Sequence, residues 1–434
     1  MSAITALLTA FLACSTRVLA CPATIFNVEL DPQLTGDRDS LRVFVKDAGS
    51  PGVWRSQVVQ LDPVSEDGRF LFFKDESWQE NPIEKFDRMT IATESFGAPR
   101  GKGEQLPCRG AVVYQLEDKQ APGRYAYLTS CPDKSLAPAR RSKADAVAYL
   151  RDASVLETKQ YRYEFNLRNN MLFKSIHLNM PGGATKLIAA DSDLLIKSDV
   201  KKFFTLRFDS GDIESYLEKT RPGPIGTLAR VSFFLRVLFF KIRMSLTTDV
   251  TFYANSGHIP MMVHLPIEAP RHLNPGSGIL YSWRLAPDVT FESSQARMPT
   301  LVPADVAKGV EHIARTGVVH CRASWCRYRF VATMNHGGPS RELAMEFELS
   351  KDLVSKGFFP QFVPDVASFN KDMGWGIDES KLKTPRLGLY FEVSGLPAGG
   401  SPWDFWLRLG TDRSSVDGLC PRGVNIRNMS QSFR

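Results

Sequence analysis

The sequence predicts a mainly β protein of two or three antiparallel, sandwich-like units with a few short helices. Three observations support this fold class. Apolar and polar residues alternate with a period of two along many short segments, Gly, Pro, Asn and Asp separate those segments, and cysteines fall where segments would close into hairpins. The 434 residues exceed one ordinary domain, and 43% of them are hydrophobic, which is enough for a sizeable core.

The first 20 residues have the layout of a secretory signal peptide. An apolar run at positions 4–14 is followed by a short polar segment and a small-residue ending before Cys21. This run is too short to span a bilayer, and no Lys or Arg precedes it. We expect export to the periplasm, the cell surface or the medium, with cleavage before Cys21. The alternative is a lipid anchor on Cys21, although Leu19 stands where a lipoprotein usually has a small residue.

Without the leader, six cysteines are left: Cys21, Cys108, Cys131, Cys321, Cys326 and Cys420. An even number in an exported chain predicts disulfides. The segments between Cys108 and Cys131 read as two strands around a turn. Folding them symmetrically places Cys108 opposite Cys131 at the open end of a hairpin, with Val112 opposite Tyr127.

The stretch CRASWCRYRF, residues 321–330, is compatible with a metal clip, a redox pair or a stapled hairpin. Pairing Cys321 with Cys326 places Val319 opposite Tyr328 on one face. Zinc needs four ligands at a recognisable spacing, and a redox pair more usually has the spacing Cys-x-x-Cys. The pattern therefore favours a structural disulfide, with a metal site and unpaired thiols as alternatives. By elimination, the remaining two cysteines, at positions 21 and 420, would join the ends of the chain.

Breaks in the pattern divide the chain into a leader (1–20), an N-terminal β domain (21–135), a central β-rich domain (136–300) and a C-terminal β-rich domain (301–434). In the central domain, the turn at Asn169 and Asn170 predicts a hairpin with Tyr161 opposite Leu178. A further strand is expected at 203–208. Short helices are expected at 144–151, 212–219 and 303–316.

The segment ARVSFFLRVLFFKIRMSL, residues 229–246, is unusually apolar. Arg236, Lys241 and Arg243 interrupt it, which is atypical of a transmembrane helix. On a helical wheel its apolar residues point in all directions, unlike those of an interfacial helix. Its second half alternates, so we expect a buried helix or strand leading into a long strand. A membrane-seeking element is the alternative.

The charge balance limits the partners. Lys and Arg total 54 and Asp and Glu 47, a net charge of +7. This mild surplus is spread along the chain, with short clusters at 139–143 and at Lys201 and Lys202. It permits adhesion to anionic lipid or acidic polysaccharide, but a nucleic-acid-binding protein normally gathers its basic residues into a patch. We expect no nucleic-acid partner, and a solvated surface is the simpler interpretation of both clusters.

Catalytic and cofactor motifs are absent from the sequence. It has no G-x-S-x-G, H-E-x-x-H or G-x-G-x-x-G pattern. His258, His264 and His272 lie close in sequence, but their spacing matches no metal site. We therefore predict no cofactor and no metal.

Carbohydrate chemistry has one candidate stretch, DMGWGIDES, residues 372–380. Trp375 lies between two glycines, so its ring could be presented on an open loop beside Asp372 and Asp378. Glycosidases need two carboxylates flanking the sugar bond, and aromatic rings stack on sugars. The alternative is an ordinary surface loop in which Asp caps a helix.

A second candidate contact site is Trp325 at the tip of the stapled hairpin, with Arg322 and Arg327 nearby. The motif WDFW could add another aromatic platform, or it could form a core strand with Trp403 and Phe405 on one side.

The sequence thus favours an exported envelope or surface protein without catalytic activity, which binds glycan, protein or a membrane surface through loop aromatic and basic residues. A carbohydrate-active enzyme that acts on envelope or extracellular polysaccharide is the alternative, and the sequence leaves open whether the protein is an enzyme. Two carboxylates in a cleft with an aromatic wall would favour the enzyme. Carboxylates scattered over the exterior would favour binding.

Overall fold

The computed structural model describes residues 22–47, 49–50, 52–66, 69–72, 82–108, 112–119, 121–132, 148–150, 154–158, 160–180, 183–237, 240–265, 267–287, 289–290, 312–313, 317–321, 324–334, 341–410 and 424–429. The predicted leader, the lipid-anchor candidate Cys21, and also Arg322 and Cys420 lie outside these ranges. The fold is mostly β, as predicted, with several antiparallel sheets and few short helices.

The chain divides into two compact units. The first comprises Met1–Asp62, Asp75–Ala139 and Gly410–Arg434, and the second comprises Pro63–Lys74 and Arg140–Leu409. The predicted boundaries near residues 135 and 300 differ from this division. The first lies close to the junction after Ala139, whereas strands on both sides of residue 300 pair within one sheet of the second unit.

The first unit contains β1 (Pro22–Phe26), β2 (Leu41–Lys46), β3 (Trp54–Gln57), β4 (Val59–Asp62), β5 (Arg88–Ala92), β6 (Val113–Asp118), β7 (Tyr125–Ser130) and β27 (Val424–Asn428). Within the described residues they form a five-stranded sheet in the order β27-β6-β7-β2-β3 and a three-stranded sheet in the order β1-β5-β4. Short 3-10 helices occur at Asn27–Glu29, Arg38–Ser40 and Thr93–Ser95. Ile25 and Met89 of the smaller sheet share a core with Val43 and Leu128 of the larger one, so the two sheets form a sandwich.

The predicted disulfide between Cys108 and Cys131 is confirmed, with their Cα atoms 5.8 Å apart. The register of the hairpin beside it is different from the prediction, because Gln115, and not Val112, lies opposite Tyr127. The first described pair is Val113 with Thr129, whereas folding symmetrically about the two cysteines would place Val113 opposite Ala126.

The second unit contains β8 (Ala148–Leu150), β9 (Val155–Glu157), β10 (Tyr161–Phe165), β11 (Phe173–Asn179), β12 (Thr185–Asp199), β13 (Thr205–Phe208), β14 (Ile213–Arg221), β15 (Gly226–Val237), β16 (Phe240–Tyr253), β17 (Ser256–Leu265), β18 (Gly278–Leu285), β19 (Val289–Thr290), β20 (His312–Ile313), β21 (Gly317–Cys321), β22 (Trp325–Met334), β23 (Arg341–Ser350), β24 (Pro360–Val363), β25 (Leu387–Glu392) and β26 (Gly399–Gly410). Its α-helices are α1 (Ala269–His272), α2 (Lys351–Ser355), α3 (Val366–Met373) and α4 (Glu379–Leu382).

Across the described residues, these strands form two large sheets. The nine-stranded sheet has the order β24-β25-β18-β12-β11-β10-β9-β8, with β13 beside β12. The ten-stranded sheet has the order β14-β15-β16-β17-β26-β23-β22-β21-β20, with β19 beside β22. Tyr163 and Trp283 of the first pack in one core with Phe252 and Phe347 of the second, which makes this unit a sandwich. Against the outer face of the nine-stranded sheet, residues of α3 and of the loop after it form a separate apolar layer.

The local predictions in this unit have mixed outcomes. The hairpin with Tyr161 opposite Leu178 is confirmed, and so is the register that places Val319 opposite Tyr328. The helix expected at 212–219 is wrong, because β14 pairs along its length with β15. The expected helices at 144–151 and 303–316 lie mostly outside the described residues, and the described parts are the strands β8 and β20.

The described residues of the apolar segment, 229–237 and 240–246, belong to two paired strands, β15 and β16, so they form strands and not a helix. In the part of the chain that the structure describes, no helix has the length and apolar character needed to cross a bilayer.

Candidate functional site

Trp375 does not present its ring on an open loop, and this expectation is corrected. The residue is only 2% exposed, and its ring packs 5.8 Å from that of Phe369 and 5.6 Å from that of Tyr390. Gly374 and Gly376 both have positive φ, which lets the chain reverse on either side of the tryptophan and direct it toward the sheet. Trp375 therefore stabilises the layer between α3 and the nine-stranded sheet.

The two carboxylates beside Trp375, those of Asp372 and Asp378, are both exposed. Asp378 accepts a hydrogen bond from the backbone N–H of Ser380 at 2.8 Å and caps α4. Hydrogen bonds from Ser380 lower the pKa of Asp378. Asp372 lies at the exposed end of α3. The helix-cap alternative thus describes Asp378 better than a catalytic or ligand-binding role does.

Trp325 is half-buried, and the guanidinium of Arg327 lies 5.2 Å from the centre of its ring. Arg327 is buried and forms an ion pair with Glu348. We expected Arg327 to be displayed for a ligand, and this is corrected, because its charge is already neutralised on the sheet. Cys326 is disulfide-bonded and lies opposite Cys321 in the register, which supports the stapled hairpin.

A buried group of charges, which sequence reasoning missed, continues from Arg327 across the outer face of the ten-stranded sheet. Glu346 is 1% exposed, with Arg408 Nε 2.7 Å from Glu346 Oε2 and Arg329 Nε 3.6 Å from Glu346 Oε1. Burial alone would raise the pKa of Glu346, but the positive charges of Arg408, Arg327 and Arg329 hold it below its ordinary value. The alternation of Arg in β22 with Glu in β23 was the available signal. Because Glu346 is buried and surrounded by the protein's own arginines, this group is not displayed to a ligand.

Next to this network, the ring of Trp406 is covered by His258 and Arg408. The ring of His258 stacks on it at 4.1 Å, and the Arg408 guanidinium lies 4.6 Å from its centre. His258 Nε2 is also 2.7 Å from Asp404 Oδ1. Because Trp406 is engaged by groups of the protein itself, it is a poor platform for a sugar.

Among the residues that the structure describes, the most exposed aromatic side chains lie elsewhere, in the turn between β12 and β13. Phe203 is 80% exposed and Phe204 is 57% exposed, and Leu206 after them is also exposed. Lys201 and Lys202 directly precede them. We call residues 201–206 the basic-aromatic tip.

Backbone hydrogen bonds define the conformation of this tip. The N–H of Phe203 donates to the carbonyl of Val200 at 3.2 Å, and the N–H of Val200 donates to the carbonyl of Phe204 at 2.9 Å. Lys201 ties the turn to α1, because its backbone N–H donates to the carbonyl of His272 at 2.8 Å and its Nζ donates to the carbonyl of Pro270 at 2.6 Å. The two phenylalanines are therefore held outward by a defined turn.

The surroundings of the tip are mixed in charge and partly apolar. Arg207 directly follows the tip in sequence, and Arg271 lies in α1, to which Lys201 is hydrogen-bonded. Both arginines are exposed. Ile267, which precedes α1, is an exposed apolar residue. The acidic residues here are Asp199, which accepts a hydrogen bond from Thr205 at 3.0 Å, and the exposed Glu268. Including the two lysines of the tip, basic side chains outnumber acidic ones.

Metal chemistry has no support in the described ranges, where no group of three His, Cys, Asp or Glu side chains is placed to hold an ion.

No protein-family model matches the chain, and no curated protein matches it. The chain resembles several solved structures, among them two from Enterococcus faecalis. One is an alpha-mannosidase from Enterococcus faecalis V583, with a TM-score of 0.39 and 9% identity over 95% of this chain and 44% of that chain. The other is a protein of glycosyl hydrolase family 38 from Enterococcus faecalis, with a TM-score of 0.36 and 9% identity over 95% of this chain and 46% of that one. The chain spans less than half the length of either protein, and similarity this low supports no functional argument.

Proposed function

We propose that this protein is an exported, noncatalytic surface protein that attaches to an anionic membrane surface through the basic-aromatic tip. The observation that carries the proposal is the exposure of Phe203 and Phe204 side by side in a hydrogen-bonded turn. Exposed aromatic rings that follow two lysines suit the boundary between acyl chains and anionic head groups.

The expected strength of attachment follows from the same residues. Burying a phenylalanine side chain contributes ~2 kcal/mol, and a lysine near an anionic surface contributes ~1 kcal/mol. Two of each, as in the tip, give about 6 kcal/mol, or an association constant on the order of 10⁴ M⁻¹. This is the reversible range of a single myristoyl chain, so we propose peripheral and salt-sensitive attachment.

Glycan binding and carbohydrate chemistry lose three of the residues on which they were predicted. Trp375 is buried, Asp378 caps a helix and Arg327 is ion-paired on the sheet. These functions therefore have less support than membrane attachment.

The test uses the chain without residues 1–20 and sedimentation with vesicles of phosphatidylcholine alone or mixed with phosphatidylglycerol. We expect binding to the anionic vesicles that weakens with added salt, and at least a tenfold loss in the variant Phe203→Ser with Phe204→Ser. The control is Leu167→Ser, which changes a 71% exposed residue in the turn between β10 and β11. Equal binding by the double variant and the original chain would overturn the proposal.

Export is tested separately by the intact mass of protein made with its own leader. A chain that begins at Cys21 without added lipid mass supports secretion, and added lipid mass supports the anchor. Retention of the full-length mass contradicts both.

A further inference from the structure

The sandwich of the second unit encloses an apolar cavity of about 170 Å³ between its two sheets. Leu194, Ile196, Ile279 and Tyr281 line it from the nine-stranded sheet, and Met261, Trp403, Phe405 and Leu407 are among those that line it from the ten-stranded sheet. Of the described residues around it, none is charged. Water would find few hydrogen-bond partners there, so the cavity suits an apolar occupant.

The cavity extends across several strands of both sheets. Its walls draw on five adjacent strands of each sheet, β25-β18-β12-β11-β10 on one side and β15-β16-β17-β26-β23 on the other. Five neighbouring strands extend over roughly 19 Å. A volume of about 170 Å³ spread over that distance is a thin space between the sheets, which accommodates a flexible chain better than a bulky ring system.

Part of the wall is not fully packed. Side chains on the inner faces of a sandwich are normally buried, but Ile196, Met261 and Phe405 are only half-buried, whereas Phe347 and Phe391 at the same cavity are buried. The flexible side chain of Met261 can adapt to the shape of a chain.

From these observations we propose that the second unit binds one aliphatic acyl chain between its sheets. This site is separate from the basic-aromatic tip and does not depend on membrane attachment. The ligand class is an aliphatic chain, which a free fatty acid and a lysophospholipid share.

The test is titration with cis-parinaric acid, a linear fluorescent fatty acid, in the absence of vesicles. We expect saturable binding of one molecule per chain, and at least a tenfold weaker affinity in Met261→Trp, whose larger side chain fills the cavity. Met262→Trp is the matched control, because Met262 is the next residue of β17, is 48% exposed and does not line the cavity. It should bind as the original chain does.

Two further measurements separate the outcomes. If thermal melting shows that Met261→Trp does not fold, Leu194→Phe narrows the cavity from the opposite sheet and replaces it. Displacement of the probe by oleic acid alone assigns a free fatty acid, and displacement by lysophosphatidylcholine assigns a phospholipid chain. Three results would overturn the proposal. The probe could fail to bind saturably, the folded variant with the filled cavity could bind it as tightly as the original chain, or the variant with Phe203→Ser and Phe204→Ser could be the one that loses binding.

Discussion

Replacing Glu346 by Gln should strongly destabilise the second unit. The substitution keeps the size of the side chain but removes the negative charge that Arg408 Nε contacts at 2.7 Å and Arg329 Nε approaches at 3.6 Å. Arg408 and Arg329 are both buried, so water cannot replace the lost partner. Removing one member of a buried ion pair costs about 3–5 kcal/mol. The free energy of unfolding, measured with urea and followed by tryptophan fluorescence, should fall by that amount.

The pH dependence distinguishes a charge effect from a packing effect. Because the pKa of Glu346 is lower in the folded protein than its ordinary value of 4.5, its stabilising contribution is fully present above about pH 4.5 and is lost as the pH falls toward the folded-state pKa. The difference between the original chain and Glu346→Gln should therefore be constant from about pH 6 to 8 and shrink below about pH 4.5.

A matched control is Asp352→Asn, which removes a mostly exposed carboxylate whose Oδ2 lies 2.6 Å from Lys356 Nζ. Solvent screens this pair, so the loss should stay below about 1 kcal/mol. The argument that the buried charge stabilises the fold would be refuted if Glu346→Gln lowered the free energy of unfolding by no more than Asp352→Asn does. It would also be refuted if the difference in stability between the original chain and Glu346→Gln were the same at pH 3 and pH 7.

Two other changes test the structural roles of predicted site residues. Trp375→Ala should lower the free energy of unfolding by about 3–5 kcal/mol, because it empties a packed site. The folded variant should bind vesicles and cis-parinaric acid with affinities within twofold of those of the original chain. A stable variant with impaired binding would show that Trp375 contacts a ligand. Replacing both Cys108 and Cys131 by Ser opens a loop of 23 residues in sequence separation and should cost about 3 kcal/mol in urea unfolding; unchanged stability would mean that the bridge does not constrain the unfolded chain.

Short-range pairings were predictable because both partners lie in one stretch of sequence. The turn at Asn169 and Asn170 and the alternation on both sides of it fix Tyr161 opposite Leu178. The same logic placed Val319 opposite Tyr328. The strand Ile213–Arg221 was mistaken for a helix, because a short apolar run is ambiguous until its neighbour is known, and here that neighbour is β15.

Long-range order was not predictable from local patterns. In the ten-stranded sheet, β26 lies between β17 and β23. It pairs with β17 along the full length of β17, although β17 and β26 are far apart in sequence. The strand Val424–Asn428 likewise pairs with β6 in the first unit. Such pairings cross the boundaries that composition suggests, because a sheet edge selects its neighbour by complementary packing and not by sequence distance.

The basic-aromatic tip was not predicted, because its sequence also reads as the start of a strand. The sequence shows Lys201 and Lys202 as a short basic cluster and predicts a strand at 203–208, in which alternate residues would face the core. In the structure, β13 begins only at Thr205, so Phe203 and Phe204 both fall in the turn and are exposed. A strand that began at residue 203 would direct one of the two phenylalanines into the core, whereas a strand that begins at Thr205 leaves both exposed.

Strand β12 connects the two proposed sites. Its inward-facing residues Leu194 and Ile196 line the cavity and are only half-buried, and its end at Asp199 is two residues before Lys201, where the tip begins. A strand advances about 3.3 Å per residue, so the backbone at Ile196 is within roughly 20 Å of the tip. The tip suits the head-group region and the cavity suits an acyl chain, and these are the two parts of a membrane lipid. The order of the residues along β12 is thus what a protein that contacts a membrane and takes up a lipid chain would need.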